Sequence, residues 1–280
     1  MKQFYFLVSL PRAGNTLFGT LINQNNKVCC TGNSIILDLL WQNECTKQTD
    51  GFKNFPDENA LNNVQKNVLN SYYKDYKAKT IIDRSSWGTP INYKMLKDYI
   101  TPNPKFIILY RPLAECFASF MKAEAYENED VMINHLMDTQ GFMNMTATSI
   151  VNVLQSEDEY LFLTYDELVS KPVKTIKKVF NYIGEEYKPI KTKNFEQFSA
   201  NGIVYDDSVL FSDHHTIRTD KIKNEQINVD DYLSDKLIAK STEWDADLMN
   251  LLNTKSVSYT HLRAHETPEH RVCRLVLEKK

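Results

Sequence analysis

Residues 4–17 read FYFLVSLPRAGNTL, an apolar run followed without a break by a polar loop. A continuous apolar run of this kind is typical of a strand buried on both faces of a parallel sheet. Gly14 allows a sharp turn from the strand into a helix, whose first backbone amides favour an anion. Arg12 adds a positive charge, but the lysine and second glycine of a nucleotide-triphosphate loop are missing. The stretch therefore predicts a small anion site, with an ordinary strand-to-helix turn as the alternative.

Similar apolar runs recur along the chain and alternate with segments of helical periodicity. The runs are KTIIDR at 79–84, KFIILYR at 105–111 and YLFLTY at 160–165. Strands that alternate with helices require crossover connections, so the pattern predicts an α/β fold, a three-layer α/β/α arrangement with a central parallel sheet. The predicted helical segments are 57–76, 112–126, 127–154, 171–184 and a final helix over about 230–253, whereas 188–230 is expected to form loops and short helices over the site.

Composition limits the possible partners of the protein. The chain has 280 residues and a net charge of -3, so no global basic field attracts nucleic acid or anionic membrane. No segment approaches the roughly 20 apolar residues of a membrane span, and the N-terminal run lacks the form of a signal peptide, so a cytoplasmic location is expected. The five cysteines fit neither a disulfide framework nor a paired metal motif. We therefore expect reduced, ordinary thiols.

The end of the chain differs from the rest. Residues 256–280, SVSYTHLRAHETPEHRVCRLVLEKK, contain three of the six histidines. The segment resembles the translation of a sequencing-adaptor sequence, so we predict a single domain over residues 1–255 and a non-native tail after it. His261, His265 and His270 are accordingly not interpreted as a metal site.

A second strand-to-helix junction makes the interpretation of the first loop more specific. Arg111 ends the run at 105–111, Pro112 suits the first turn of a helix, and Ser119 follows two helical turns later. With PRAGNTL after the first strand, and with YLFLTYDELVSKPVKTIKKVFNYIG at 160–184, this pattern resembles the sulfotransferase family that uses 3′-phosphoadenosine 5′-phosphosulfate (PAPS). The resemblance extends over residues 4–184 and implies a P-loop-like fold, sulfuryl transfer and no metal.

The resemblance also assigns candidate binding residues. It places Arg12 beside the bond that is broken, Arg111 and Ser119 on the 3′-phosphate, and Tyr165 near the adenine. A late basic segment, residues 214–223, is the candidate for closing the nucleotide site through Arg218, although the glycines of the family's loop are absent. The residues expected at the 5′-phosphosulfate are Arg12, Ala13, Gly14, Asn15, Thr16 and Leu17.

A base is needed to remove the proton of the acceptor. Asp83 in IIDRSSW ends a buried strand at the functional edge and resembles a catalytic carboxylate of the family; it could equally pair with Arg84 or cap a helix. His214 and His215 are the alternatives, whereas Trp87 fits a pocket wall or the core equally well.

The acceptor, whether glycan, lipid, peptide or small alcohol, and the oligomeric state are left open. A P-loop nucleotide or small-molecule kinase and a non-catalytic nucleotide-binding protein are the competing functions.

Overall fold

A five-stranded parallel sheet forms the centre of the protein, with the strand order β2-β3-β1-β4-β5. The computed structural model describes residues 2–124, 126–210, 214–217, 219–223 and 227–257. Helices flank the sheet and complete the three-layer α/β/α fold predicted from the sequence. In chain order the elements are β1 (Gln3–Ser9), α1 (Asn15–Ile22), β2 (Val28–Asn33), α2 (Ile36–Thr46), α3 (Asp50–Asn54), α4 (Glu58–Tyr72), β3 (Thr80–Arg84), α5 (Pro90–Met95), a π-helical turn (Leu96–Ile100), β4 (Lys105–Tyr110), α6 (Leu113–Ala123), α7 (Glu129–Met137), α8 (Phe142–Gln155), β5 (Glu159–Thr164), α9 (Tyr165–Ser170), α10 (Pro172–Ile183) and α11 (Asp235–Val257).

The central position of β1 explains its continuous apolar sequence. The strand pairs with β3 on one side and β4 on the other, and Phe6, Leu7 and Val8 are fully buried. Because parallel strands end at the same edge of the sheet, the loops that follow β1, β3 and β4 meet at one edge. The four predicted strands are confirmed within a residue or two, and β2, which the sequence analysis did not identify, adds the fifth.

The segment 127–154 is not the continuous helix expected from its periodicity. It forms two helices, α7 and α8, separated by a turn at residues 138–141. Asp138 has an extended ψ of 161°, and the backbone N–H of Gly141 donates to the Asp138 carbonyl at 2.7 Å. The turn redirects α8, so that Phe142 at its start reaches the functional edge of the sheet.

The final helix, α11, packs on the junction between β4 and α6. Both carboxylate oxygens of Asp245 lie 3.1 Å from the backbone N–H of Leu113, the first residue of α6, which donates to them. Burial raises the pKa of Asp245 to about 6, although hydrogen bonds from Tyr110 and Leu113 oppose the shift. Asp245 thus caps α6 from outside that helix and fixes the segment that follows Arg111. No helix in the described part of the chain is long and apolar enough to cross a membrane.

Candidate active site

The loop after β1 has the geometry of an anion-binding turn. Arg12 and Gly14 have positive φ angles of 66° and 85°, and α1 begins immediately afterwards at Asn15. The Asn15 side chain braces the turn by donating to the Leu10 carbonyl at 3.0 Å. Where right-handed and left-handed backbone conformations alternate, successive N–H groups point towards a common centre. The first N–H groups of a helix also have no hydrogen-bond partner within the helix. The loop therefore presents amides and a positive dipole end at the carboxyl edge of the sheet.

Gly14 is required by space as well as by conformation. A Cβ atom at this position would lie 2.8 Å from Cδ2 of Tyr165, so the tyrosine ring occupies the volume that a side chain would need. The same ring lies beneath the guanidinium of Arg111, 4.3 Å from its Cζ atom. Tyr165 therefore packs between the loop and Arg111 and fixes both.

Three of the predicted donor-binding residues come together although they are about a hundred positions apart in the sequence. Arg12 donates from Nε to the Ser119 hydroxyl at 3.0 Å, and Arg111 donates from Nη1 to the Arg12 carbonyl at 2.9 Å. Arg111 is buried, and its Nε is held by Glu115 at 2.9 Å. We call Arg12, Arg111 and Ser119 the arginine clasp. A buried guanidinium and a hydroxyl beside free helix amides are suited to bind phosphate or sulfate oxygens.

A cavity of about 660 Å³ opens at the arginine clasp and extends towards β3 and α8. Ala13 and Leu17 are absent from its lining; Ala13 is fully buried in the core, and Leu17 packs against the core. Arg218 lies outside the described residues, so its predicted contact stays a prediction. The cavity is lined by Leu7, Ser9, Pro11, Arg12, Gly14, Asn15, Thr16, Asn33, Ser34, Asp38, Arg84, Ser85, Ser86, Arg111, Ser119, Phe120, Glu124, Phe142, Met145, Thr146, Tyr165, His214 and His215.

Asp83 is buried behind the cavity wall instead of lining it. Its Oδ1 accepts hydrogen bonds from Ser34 at 2.9 Å and from the Trp87 indole at 2.7 Å, and its Oδ2 accepts a short one from Tyr73. Burial raises the pKa of Asp83, and these hydrogen bonds oppose that shift. A carboxylate with no exposed surface and both oxygens occupied is poorly placed to take a proton from an acceptor, so the geometry argues against the predicted base role. Trp87 is likewise in the core and does not form a pocket wall.

His215 lines the cavity and is oriented by a carboxylate. Its Nδ1 lies 2.6 Å from Oδ1 of Asp207, and its backbone N–H donates to Oδ2 of the same residue at 2.8 Å. Burial alone would raise the pKa of Asp207, but the interactions with His215 outweigh burial and lower it. A proton on Nδ1 directed at Asp207 leaves Nε2 as the basic nitrogen, and no residue in the described ranges hydrogen-bonds to Nε2. The pair has the arrangement of a general base and its orienting carboxylate.

The second candidate histidine has a different environment. His214 Nε2 lies 3.1 Å from Oε1 of Glu124, and its Nδ1 is buried without a hydrogen-bond partner in the described part of the protein. His135, by contrast, is exposed on α7 and contacts the Tyr126 hydroxyl at 2.8 Å. Of the three, His215 alone combines a cavity position with a carboxylate on Nδ1.

The sequence analysis missed two residues that shape the cavity. Arg84 lines it, does not pair with Asp83, and donates from Nη1 to the Tyr205 hydroxyl at 3.1 Å. The Tyr205 ring stacks on His215 with 3.7 Å between ring centroids. Tyr205 can approach because residue 32 is glycine; a Cβ there would lie 2.8 Å from the Tyr205 hydroxyl. Only the strand-end position of Arg84 was available as a signal in the sequence.

Comparisons with known proteins find matches to both the sequence and the fold of this chain. A family model described as the sulfotransferase family matches residues 5–189. The fold is similar to that of the sulfotransferase domain from the curacin biosynthetic pathway, with a TM-score of 0.54 and 13% identity over 98% of this chain and 97% of that one. The fold is also similar to that of the sulfotransferase domain from the Synechococcus PCC 7002 olefin synthase, with a TM-score of 0.54 and 13% identity over 93% of this chain and 98% of that one. For a sulfotransferase from Alicyclobacillus acidocaldarius the TM-score is 0.51 and the identity 12%, over 90% of this chain and 96% of that one. A comparison with curated protein sequences finds no significant match.

Proposed function

This chain belongs to the sulfotransferase family, and we propose that it transfers a sulfuryl group from PAPS to a hydroxyl or amine by in-line displacement. The arginine clasp is the observation that carries the proposal. It joins the ends of adjacent strands β1 and β4 at the N-terminus of α1. PAPS carries anionic groups at two ends, and the clasp offers two guanidinium groups and a hydroxyl beside helix amides. The donor types present therefore fit this co-substrate.

Each part of the donor site has a proposed role. Arg12 and the amides after Gly14 bind the 5′-phosphosulfate, while Arg111 and Ser119 bind the 3′-phosphate. Tyr165 lies against both Gly14 and Arg111 and so fixes the position of the 5′-phosphosulfate loop relative to the 3′-phosphate site. When bound, PAPS supplies the sulfuryl group: the acceptor oxygen or nitrogen bonds to sulfur as the sulfur–oxygen bond to the 5′-phosphate breaks, and the bisphosphate leaves with that electron pair. Arg12 stabilises the charge that develops on the leaving phosphate.

We assign the base role to His215. Asp207 holds the Nδ1 proton, so Nε2 is available to accept the proton of the acceptor hydroxyl or amine. Positioned general bases typically contribute about 10²- to 10⁴-fold to rate. Asp83 supports the cavity wall from behind. It hydrogen-bonds to Ser34, which lines the cavity, and it fixes the strand end that carries Arg84.

The test combines ligand binding with turnover. Thermal shifts are measured with adenosine 3′,5′-bisphosphate and with ATP and magnesium, and radiolabelled PAPS is then incubated with glycans, lipids, tyrosyl peptides and small alcohols. We expect stabilisation by the bisphosphate and labelling of one acceptor class. Stabilisation by ATP with magnesium alone would contradict the proposal. Bisphosphate binding with no transfer to any acceptor would instead indicate a non-catalytic nucleotide-binding protein.

Arg111→Ala provides the residue-level test. Loss of a charge-assisted hydrogen-bond partner costs about 1.5–3 kcal/mol, so bisphosphate affinity should fall about ten- to a hundredfold. Lys105→Ala is the matched control, because Lys105 lies at the opposite end of β4 and also pairs with a glutamate, Glu159. An equal loss of affinity in both variants would show that Arg111 acts only through stability.

A further inference from the structure

The cavity has a second half that the donor residues do not form. It lies towards β3, α2 and α8, and among the described residues that line it Arg84 is the one lysine or arginine. The two carboxylates on the cavity wall do not neutralise it: Glu124 pairs with His214, and Asp38 is exposed without an ion pair to Arg84. In the part of the chain that the structure describes, the only hydrogen-bond partner of the Arg84 guanidinium is the neutral Tyr205 hydroxyl. A partly buried arginine that faces a cavity with no counter-ion is suited to bind an anionic ligand.

The opposite wall of this half is apolar. Phe142 and Met145 are adjacent on one face of α8, line the cavity and are 37% and 36% exposed. Phe120, which is buried, supports Phe142 edge-to-face at 5.6 Å. A ligand with a hydrocarbon part would cover these two side chains, and removing their apolar surface from water would contribute favourably to the free energy of binding.

A single tyrosine connects the cation to the base. The Tyr205 hydroxyl accepts from Arg84, and the Tyr205 ring stacks on His215. Arg84 and His215 therefore contact the same side chain, Tyr205, and both line the cavity. A molecule whose hydroxyl faces His215 has room to place a neighbouring group on Arg84.

We propose that the acceptor is a hydroxy carboxylic acid with a hydrocarbon body, whose carboxylate binds Arg84 and whose chain packs on Phe142 and Met145. The proposal rests on the proposed function and deepens it. One guanidinium with one neutral partner matches the single charge of a carboxylate better than the double charge of a phosphate ester. In the reaction the acceptor oxygen bonds to sulfur, His215 takes the hydroxyl proton, and the carboxylate stays bound and unchanged.

The test compares 3-hydroxydecanoic acid with its methyl ester, which removes the charge and keeps the hydroxyl and chain. Calorimetry measures binding of each compound without donor, and the transfer assay measures kcat/KM of each. The proteins are the full chain, Arg84→Gln, Arg84→Lys and Lys94→Gln. Lys94 is a matched control of equal charge change, because it is exposed on α5. Bisphosphate affinity, measured first, reports on folding and on the donor site independently.

The wild-type protein should bind the acid about ten- to a hundredfold more tightly than the ester, the effect of one charge-assisted hydrogen bond. Arg84→Gln should abolish that preference while leaving ester binding and bisphosphate affinity unchanged, Arg84→Lys should retain part of it, and Lys94→Gln all of it. Equal binding of acid and ester by the wild-type protein, or binding of neither, would overturn the proposal. So would a drop in kcat with both acceptors in Arg84→Gln, since Arg84 would then act on the transfer step, directly or through Tyr205 and His215, instead of on the carboxylate. Failure of bisphosphate binding would count against the proposed function instead.

Discussion

Replacing Gly14 by alanine perturbs the phosphate loop in two ways that can be measured separately. The first is conformational, because Gly14 has a φ of 85°. A side chain in the left-handed region costs about 1–2 kcal/mol. The second is steric, because the new Cβ would lie 2.8 Å from Cδ2 and 3.0 Å from Cε2 of Tyr165. Overpacking of this kind costs about 1–3 kcal/mol, so the free energy of unfolding should fall by about 2–5 kcal/mol in total.

Two other glycines separate these contributions. Gly184 has a φ of 70° but open space around its Cβ position, so Gly184→Ala should show the conformational cost alone. Gly51 has neither positive φ nor a close neighbour, and Gly51→Ala should be neutral or slightly stabilising because Gly51 lies within α3. Urea denaturation with comparable m-values measures all three variants. The expected order of destabilisation is Gly14, then Gly184, then Gly51.

The binding result distinguishes the site from the fold. A displaced Tyr165 ring can no longer support Arg111, so Gly14→Ala should weaken adenosine 3′,5′-bisphosphate binding by about tenfold or more, or ~1.4 kcal/mol. Gly184→Ala should leave binding unchanged. A double-mutant cycle of Gly14→Ala with Tyr165→Ala should show a coupling free energy of about 1–3 kcal/mol in stability, because Tyr165→Ala removes the ring with which the new Cβ clashes. Equal destabilisation by Gly14→Ala and Gly184→Ala, with no coupling to Tyr165, would refute the reasoning.

Three further predictions concern titratable groups. His215→Gln should lower kcat about 10²- to 10⁴-fold at unchanged bisphosphate affinity, whereas His135→Gln should change neither; similar rates in the two variants would remove His215 as base. Asp83→Asn should lower the free energy of unfolding by about 1–3 kcal/mol in urea titrations and leave transfer nearly intact; lost transfer at full stability would restore Asp83 as base. Because the folded pKa of Asp245 is about 6, above the roughly 3.9 of an unfolded chain, the contribution of Asp245 to stability should decline as pH rises from about 4 to 6. Asp245→Asn should flatten that part of a stability-against-pH curve, and an unchanged curve would contradict the assignment.

The arginine clasp could be predicted from the sequence because Arg12 and Arg111 follow buried strands. Apolar runs fix where β1 and β4 end, and parallel strands bring their ends to one edge, so Arg12 and Arg111 had to lie close together. Strand β2 was missed because VCCTGN has a short apolar run and ends in residues typical of turns. The break between α7 and α8 was missed because their apolar periodicity continues across a turn of four residues.

The rest of the cavity could not be predicted in the same way. Asp83 and Arg84 are consecutive, and neighbouring side chains of a strand point to opposite faces. Which of the two faces the cavity depends on the packing of α2 and α4, and that packing encloses Asp83 between Ser34 and Tyr73. Asp207 and His215 are eight residues apart in an irregular segment, where no periodicity indicates that they meet.

The stacking of Tyr205 on His215 bears on where the proposed base lies along the chain. The proposed base, its carboxylate and the ring stacked on it lie at positions 205–215, after the last residue of the family match at 189. The arginine clasp and Tyr165 lie wholly within that match. So do Arg84, Phe142 and Met145, the proposed acceptor contacts; exchanging the segment after residue 189 would therefore replace the proposed base and keep both the proposed donor site and these acceptor contacts.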